Sequence, residues 1–119
     1  MKRDMELARQ ILQRIEECPD PSGQGIDLAF PDHTNGEVSY NVKLLAQARL
    51  IDAVDMTNAQ GLFWMPQSLT YEGHEFLDAI RNDKVWGKVK EQAREHGGKL
   101  SFEVMKALAI QVAKTLLGL

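Results

Sequence analysis

An α+β fold, mainly helical, is predicted by three observations. Apolar residues recur at helical spacing along several long stretches. Two short apolar runs flank the turn-forming segment Thr57-Asn58-Ala59-Gln60-Gly61, the pattern of a β-hairpin. Hydrophobic residues make up 44% of the 119 residues and charged residues 26%, which suits one ordinary globular chain with a true core.

The first helix is predicted over residues 4–18. Ala8, Ile11, Leu12, Ile15 and Cys18 form one apolar stripe, Asp4 caps the start, and Pro19 and Pro21 stop it. Ile26 to Phe30 alternates apolar with small or polar residues and reads as a short strand ended by Pro31. Pro31 to Gly36 is a turn-rich connector. A second helix is predicted over 37–49, with Val38, Val42 and Leu45 on its buried face. Strands follow at about 50–56 and 62–65, the latter closed by Pro66.

The rest is helical. Thr70 caps a helix over 71–81 with Phe76, Leu77 and Ile80 inward. Asn82-Asp83 breaks the chain and starts a helix over 84–96, with Val85, Trp86 and Val89 on one side. Gly97-Gly98 ends that helix as a glycine cap. Ser101 starts a last helix over 102–117.

The order of helix, short strand, helix, hairpin and helix is winged-helix-like. Phe30, Ile51 and Trp64 are the expected plugs at the sheet side of the core, each worth roughly 1.5–3 kcal/mol when fully buried. Residues 1–81 are expected to form the winged-helix-like domain. Residues 82–119 are expected to form a C-terminal helical extension, packed on it or used for association.

Several stretches resemble a known family. They are Met1-Lys2-Arg3-Asp4-Met5, Val38 to Leu45, Leu69-Thr70-Tyr71-Glu72-Gly73-His74 through Arg81, and Val104 to Ile110. In these the chain is similar to the domain of unknown function 2513 family of bacterial and phage proteins. The resemblance implies a winged-helix-like fold and a frequent prophage setting, and it supplies no catalytic residue to carry over. Two departures stand out. Such proteins usually read Ala-Gly-Leu-Ile where this chain reads Ala48-Arg49-Leu50-Ile51, so a less tight junction is expected. The Ile26–Gly36 stretch is also too turn-rich for the middle helix of a full helix-turn-helix.

Charge limits the function classes. Net charge is −3, from 14 basic and 17 acidic residues. No segment is a basic patch, whereas duplex-DNA binding draws its affinity largely from cations set against phosphates. Ser39, Tyr40, Lys43 and Gln47 are expected on the exposed face of the second helix, with Arg49 nearby. They form the candidate surface for nucleic acid or a partner, although Lys43 and Arg49 alone neutralise few phosphates. In the last helix Phe102, Met105, Leu108, Val112 and Leu116 form an apolar stripe. It serves as core, as an association surface, including a homodimer, or as a membrane-surface face, for which only Lys106 and Lys114 would supply cations.

Other candidates read as structural. His74 and Asp78 share a helix face and are expected to hydrogen-bond each other, with no further ligand for a metal. Cys18 is the single cysteine, follows Glu16 and Glu17, and reads as inert. Ser22-Gly23-Gln24-Gly25 reads as a flexible connector. Phe63, Trp64, Tyr71 and Trp86 are expected in core or hairpin packing. No catalytic residue, metal site or cofactor is expected. No apolar run approaches the roughly 20 residues of a bilayer span, and a cytosolic location is expected. The favoured reading is a non-enzymatic, winged-helix-like interaction module that binds protein. The alternative is a winged-helix DNA-binding transcriptional regulator.

Overall fold

The computed structural model describes residues 1–18, 26, 28–98 and 100–118, and at Leu117 the backbone alone. The order of elements is α1 (Met5–Glu17), α2 (Asn35–Gln47), β1 (Ile51–Asp55), β2 (Trp64–Leu69), α3 (Tyr71–Ile80), α4 (Asp83–Glu95) and α5 (Phe102–Leu117). The fold is α+β and mainly helical, and this order is consistent with a winged-helix-like layout. The chain divides into two compact units, Met1–Gly73 and His74–Leu119.

In the first unit, α1 starts where Asp4 accepts the Leu7 N–H at 3.0 Å. Its stripe Leu7, Ala8, Ile11, Leu12 and Ile15 is buried. The helix α2 starts two residues earlier than expected, because the Thr34 hydroxyl accepts the Glu37 N–H at 3.1 Å and caps it. Val38, Val42 and Leu45 carry its apolar face into the same core.

The strand expected at Ile26–Phe30 is not formed: the described residues Ile26, Leu28, Ala29 and Phe30 are irregular, and Asp27 lies outside the described residues. The neighbouring edge of β2 explains this. Trp64 donates its N–H to the Ser39 hydroxyl at 3.3 Å, and Pro66 has no N–H to give, so that edge offers a third strand few donors. Arg14 of α1 lies over the Phe30 ring, 4.8 Å from its centre, and Phe30 is half-buried. Among the described residues no helix stands between α1 and α2, only a turn in which the His33 N–H meets the Phe30 carbonyl. The connector Ser22-Gly23-Gln24-Gly25 and the stop residues Pro19 and Pro21 lie outside the described residues.

The junction from helix to hairpin is tight, contrary to expectation. Arg49 adopts φ +63, the left-handed region. Its N–H reaches the Ala46 carbonyl at 3.0 Å, and the Leu50 N–H reaches Leu45 at 3.0 Å. This double bond pattern closes a helix in the Schellman manner. The same pattern ends α4, where Gly97 at φ +67 sends its N–H to Arg94 and Gly98 sends its own to Ala93. An arginine therefore does at one helix end what a glycine does at the other, at a backbone cost of about 1–2 kcal/mol.

The strands β1 and β2 pair antiparallel, with Val54 opposite Met65 and a shift in register between Asp52 and Ala53. The strand β2 continues past Pro66 to Leu69 instead of closing there. Pro66 faces Ala53, a position whose backbone groups point out of the ladder, so its missing N–H breaks no pairing. The hairpin returns to the helix junction through Thr70. Its hydroxyl donates to the Arg49 carbonyl at 2.7 Å and accepts the Gly73 N–H at 3.0 Å. Gly73 is required here, since a Cβ would lie 1.8 Å from the Leu50 carbonyl oxygen.

In the second unit, Asn82 caps α4 by accepting from Lys84 and Val85, and Ser101 caps α5 by accepting from Val104. The helices α4 and α5 pack together. Their buried stripes are Val85, Trp86, Val89 and Ala93 on one, and Phe102, Met105, Ala109 and Ala113 on the other.

Candidate functional site

The site is built on α2 and the hairpin. The buried face of α2 has a polar residue on either side of its aliphatic stripe. On one side Asn41, 1% exposed, accepts the Asp4 N–H at 2.9 Å and donates to the Glu37 carbonyl at 3.0 Å. On the other side Ser39, 7% exposed, accepts the Trp64 N–H. Asn41 thus stitches α2 to the start of α1, and Ser39 stitches it to β2.

This places the expected surface residues differently from one another. Ser39 is buried instead of exposed, because its short hydroxyl is the acceptor that the Trp64 N–H needs. Tyr40 and Lys43 are half-buried, while Gln47 and Arg49 are exposed. Hydrogen bonds from the Thr57 hydroxyl and the Thr57 N–H hold the Asp55 carboxyl of β1 below its ordinary value, and Lys43 adds a smaller attraction.

The outer face of the hairpin carries a feature that the sequence reading missed. Alternate residues of a strand share a face, so Asp52, Val54 and Met56 lie together. Val54 faces Met65 across the ladder, and Met56 donates its N–H to the Phe63 carbonyl at 2.8 Å. Val54, Met56 and Phe63 are 42%, 50% and 43% exposed, and Met65 is half-buried beside them. Asp52 closes the base of this apolar face, where its carboxylate receives the Ser68 hydroxyl at 3.5 Å. The signal was present in the sequence: the alternation Asp52, Val54, Met56 gives the outer face two large apolar groups where a solvated strand would carry polar ones.

The hairpin tip is held by its own hydrogen bonds. Asn58 and Gly61 exchange both backbone bonds, and the Asn58 side chain accepts from the Gln60 N–H at 2.8 Å. From Ile15 to Gly73 the only cations are Lys43 and Arg49, against nine Asp and Glu. A cleft of about 250 Å³ lies beside the same hairpin. Phe63 to Pro66 form one wall, Asn35, Val38 and Ser39 of α2 form another, and Ile26, Leu28 and Ala29 complete it.

The other candidates are dispersed. Asp78 accepts from Arg81 Nε at 3.1 Å instead of pairing with His74, which is exposed. The histidine that does engage a carboxylate is His33, whose Nδ1 lies 2.9 Å from Glu37 Oε2. Its hydrogen bond is the main cause of a Glu37 carboxyl held below its ordinary value. Trp86 is buried and Trp64 half-buried, but Tyr71 is 77% exposed, contrary to the packing expected of it. In α5, Phe102 and Met105 are buried, Leu108 and Val112 half-buried, and Leu116 is 45% exposed. Among the described residues, no three His, Cys, Asp or Glu converge as metal ligands, and no helix is long and apolar enough to cross a membrane.

A family described as "Hypothetical protein (DUF2513)" matches residues 2–99. The chain belongs to this family. A relative from Haemophilus influenzae (strain ATCC 51907 / DSM 11121 / KW20 / Rd), named "Uncharacterized protein", is 36% identical over 117 residues, covering 98% of this chain and 96% of that protein. No solved structure matches. The family match takes in the Asp4–Asn41 tie, the Arg49 junction, the Thr70–Gly73 return and the apolar hairpin face.

Proposed function

We propose that this chain is a non-enzymatic interaction module that binds a protein partner through the outer face of its hairpin wing. The observation that carries this reading is the joint exposure of Val54, Met56 and Phe63 on one face of the hairpin. Exposed apolar groups gathered on one face favour a protein contact, and methionine adapts well to a partner surface. The acidic surroundings favour a partner with basic residues around its own apolar patch. Pairing wing to wing between two copies would bring two acidic surroundings together, so a different protein suits this face better than a second copy.

A DNA-reading wing would carry Lys or Arg toward the phosphates. From Leu50 to Ile80 there is neither.

Photo-crosslinking tests the proposal. A photoreactive residue is placed at Val54, at Met56 or at the exposed control position Glu91, and adducts formed in the native cell extract are identified by mass spectrometry. The same protein is expected from Val54 and Met56, not from Glu91, and it is lost in Phe63→Asp. Adducts that do not depend on position would overturn the proposal. So would a low-salt gel shift in which the chain retards duplex DNA and Lys43→Ala abolishes the effect.

A further inference from the structure

We infer that the cleft beside β2 receives one aromatic side chain of the partner, presented on an extended segment with Lys or Arg on either side of it. This rests on the wing reading above and names the chemistry of its anchor. Three features support it.

The first is size. A dry cavity of roughly 150 Å³ accepts a benzene ring, and sites for drug-sized ligands begin near 300 Å³. At about 250 Å³ the cleft suits one ring system. The second is lining. Phe63, Trp64 and Pro66 offer ring faces and edges, with Leu28 and Val38 completing an apolar wall. Asn35 and Ser39 are the polar side chains of the lining. The Ser39 oxygen already accepts the Trp64 N–H, which leaves its own O–H to donate to a carbonyl of the incoming segment.

The third is charge. No Lys or Arg occurs from Ile15 to Val42 or from Leu50 to Gly73, the two stretches that supply every wall of the cleft. Asp32 and Glu37 flank the α2 wall in sequence and Asp52 and Asp55 precede the hairpin wall, while the cations that come near are Arg14, laid over the Phe30 ring, and Lys43, attracted to Asp55. An aromatic residue between cations matches an apolar slot in acidic surroundings, and one between carboxylates does not. Phe63 and Met65 belong both to the cleft and to the exposed wing face, so one partner segment can cover the two together.

The test is an NMR titration of the intact chain with three capped tripeptides: acetyl-Lys-Trp-Lys-amide, acetyl-Glu-Trp-Glu-amide and acetyl-Lys-Gly-Lys-amide. The first is expected to shift the amide signals of Ser39, Phe63 and Trp64 and to saturate, with affinity on the order of millimolar. The Glu peptide is expected to bind about tenfold more weakly at low salt, with the gap closing as salt is added. The Gly peptide shifts nothing. Ala29→Phe, which fills the cleft from an exposed lip, abolishes the response, whereas Val54→Asp on the wing face leaves it.

Equal responses to the Trp and Gly peptides would overturn the inference. So would equal binding of the Glu and Lys peptides at low salt, or a response that survives Ala29→Phe. A partner crosslinked from Val54 without any tripeptide response sinks the cleft and leaves the wing reading standing. A tripeptide response of the expected pattern without a crosslinked partner leaves the cleft standing and sinks the wing reading.

Discussion

Asp4 gives its backbone N–H to Asn41 Oδ1 at 2.9 Å, across 37 residues of sequence, while its own carboxylate caps α1. One residue thus starts a helix and fastens it to the middle of the next. Asn41→Ala leaves the Asp4 N–H and the Glu37 carbonyl without this partner in a buried setting. It is expected to cost about 2–3 kcal/mol in urea unfolding. Asp4→Ala loses only the cap and is expected to cost about 1 kcal/mol.

The junction at Arg49 predicts substitutions of opposite sign. Arg49→Gly relieves the left-handed backbone of a side chain that resists it, and is expected to stabilise the fold by about 0.5–1 kcal/mol after the unfolded-state entropy of glycine is counted. Gly73→Ala drives a methyl group into the Leu50 carbonyl and is expected to destabilise by about 3 kcal/mol or more. Thermal melts followed by circular dichroism check both.

Ser39→Ala is expected to cost about 1–2 kcal/mol, because the part-buried Trp64 N–H loses its acceptor. Lys43→Ala is expected to leave stability within about 0.5 kcal/mol. If both changes were neutral, the stitch between α2 and β2 would carry no weight.

Acid sensitivity follows from Glu37 and Asp55, whose carboxyls titrate below their ordinary values of 4.5 and 3.8. The folded state holds their protons more weakly than the unfolded state does. Their stabilisation is complete above those ordinary values and is lost as pH falls through the lower folded ones. The urea midpoint is therefore expected to drop in acid below about pH 4.5. Glu37→Gln and Asp55→Asn each make that drop shallower.

Within α5, Met105→Ala is expected to cost about 2–4 kcal/mol, since the side chain is 2% exposed. Leu116→Ala, at 45% exposure, is expected to cost less than about 1 kcal/mol. Similar costs at the two positions would contradict the observed burial.

The helices were legible because their ends are written in short-range chemistry. Asp4, Asn82 and Ser101 each cap the helix that follows, and Gly97 closes α4, so boundaries fell within a residue or two. The hairpin was legible from its turn and its flanking apolar runs. Ser39 was not, because a hydroxyl suits water and a backbone donor equally well, and the donor it meets lies 25 residues away in sequence. The missing strand at Ile26–Phe30 had a suitable local pattern, but pairing is decided by the other edge. The apolar wing face was missed because an apolar residue in a strand pattern reads the same whether it packs inward or stays open, and the structure leaves Val54, Met56 and Phe63 open.

The blunted edge of β2 has a consequence for how such a surface persists in a crowded cell. An exposed greasy ribbon with an open border would template further ribbons and grow into fibres. Here the proline and the serine-bound amide take two donors from the β2 border, so growth from that side of the ribbon is blunted.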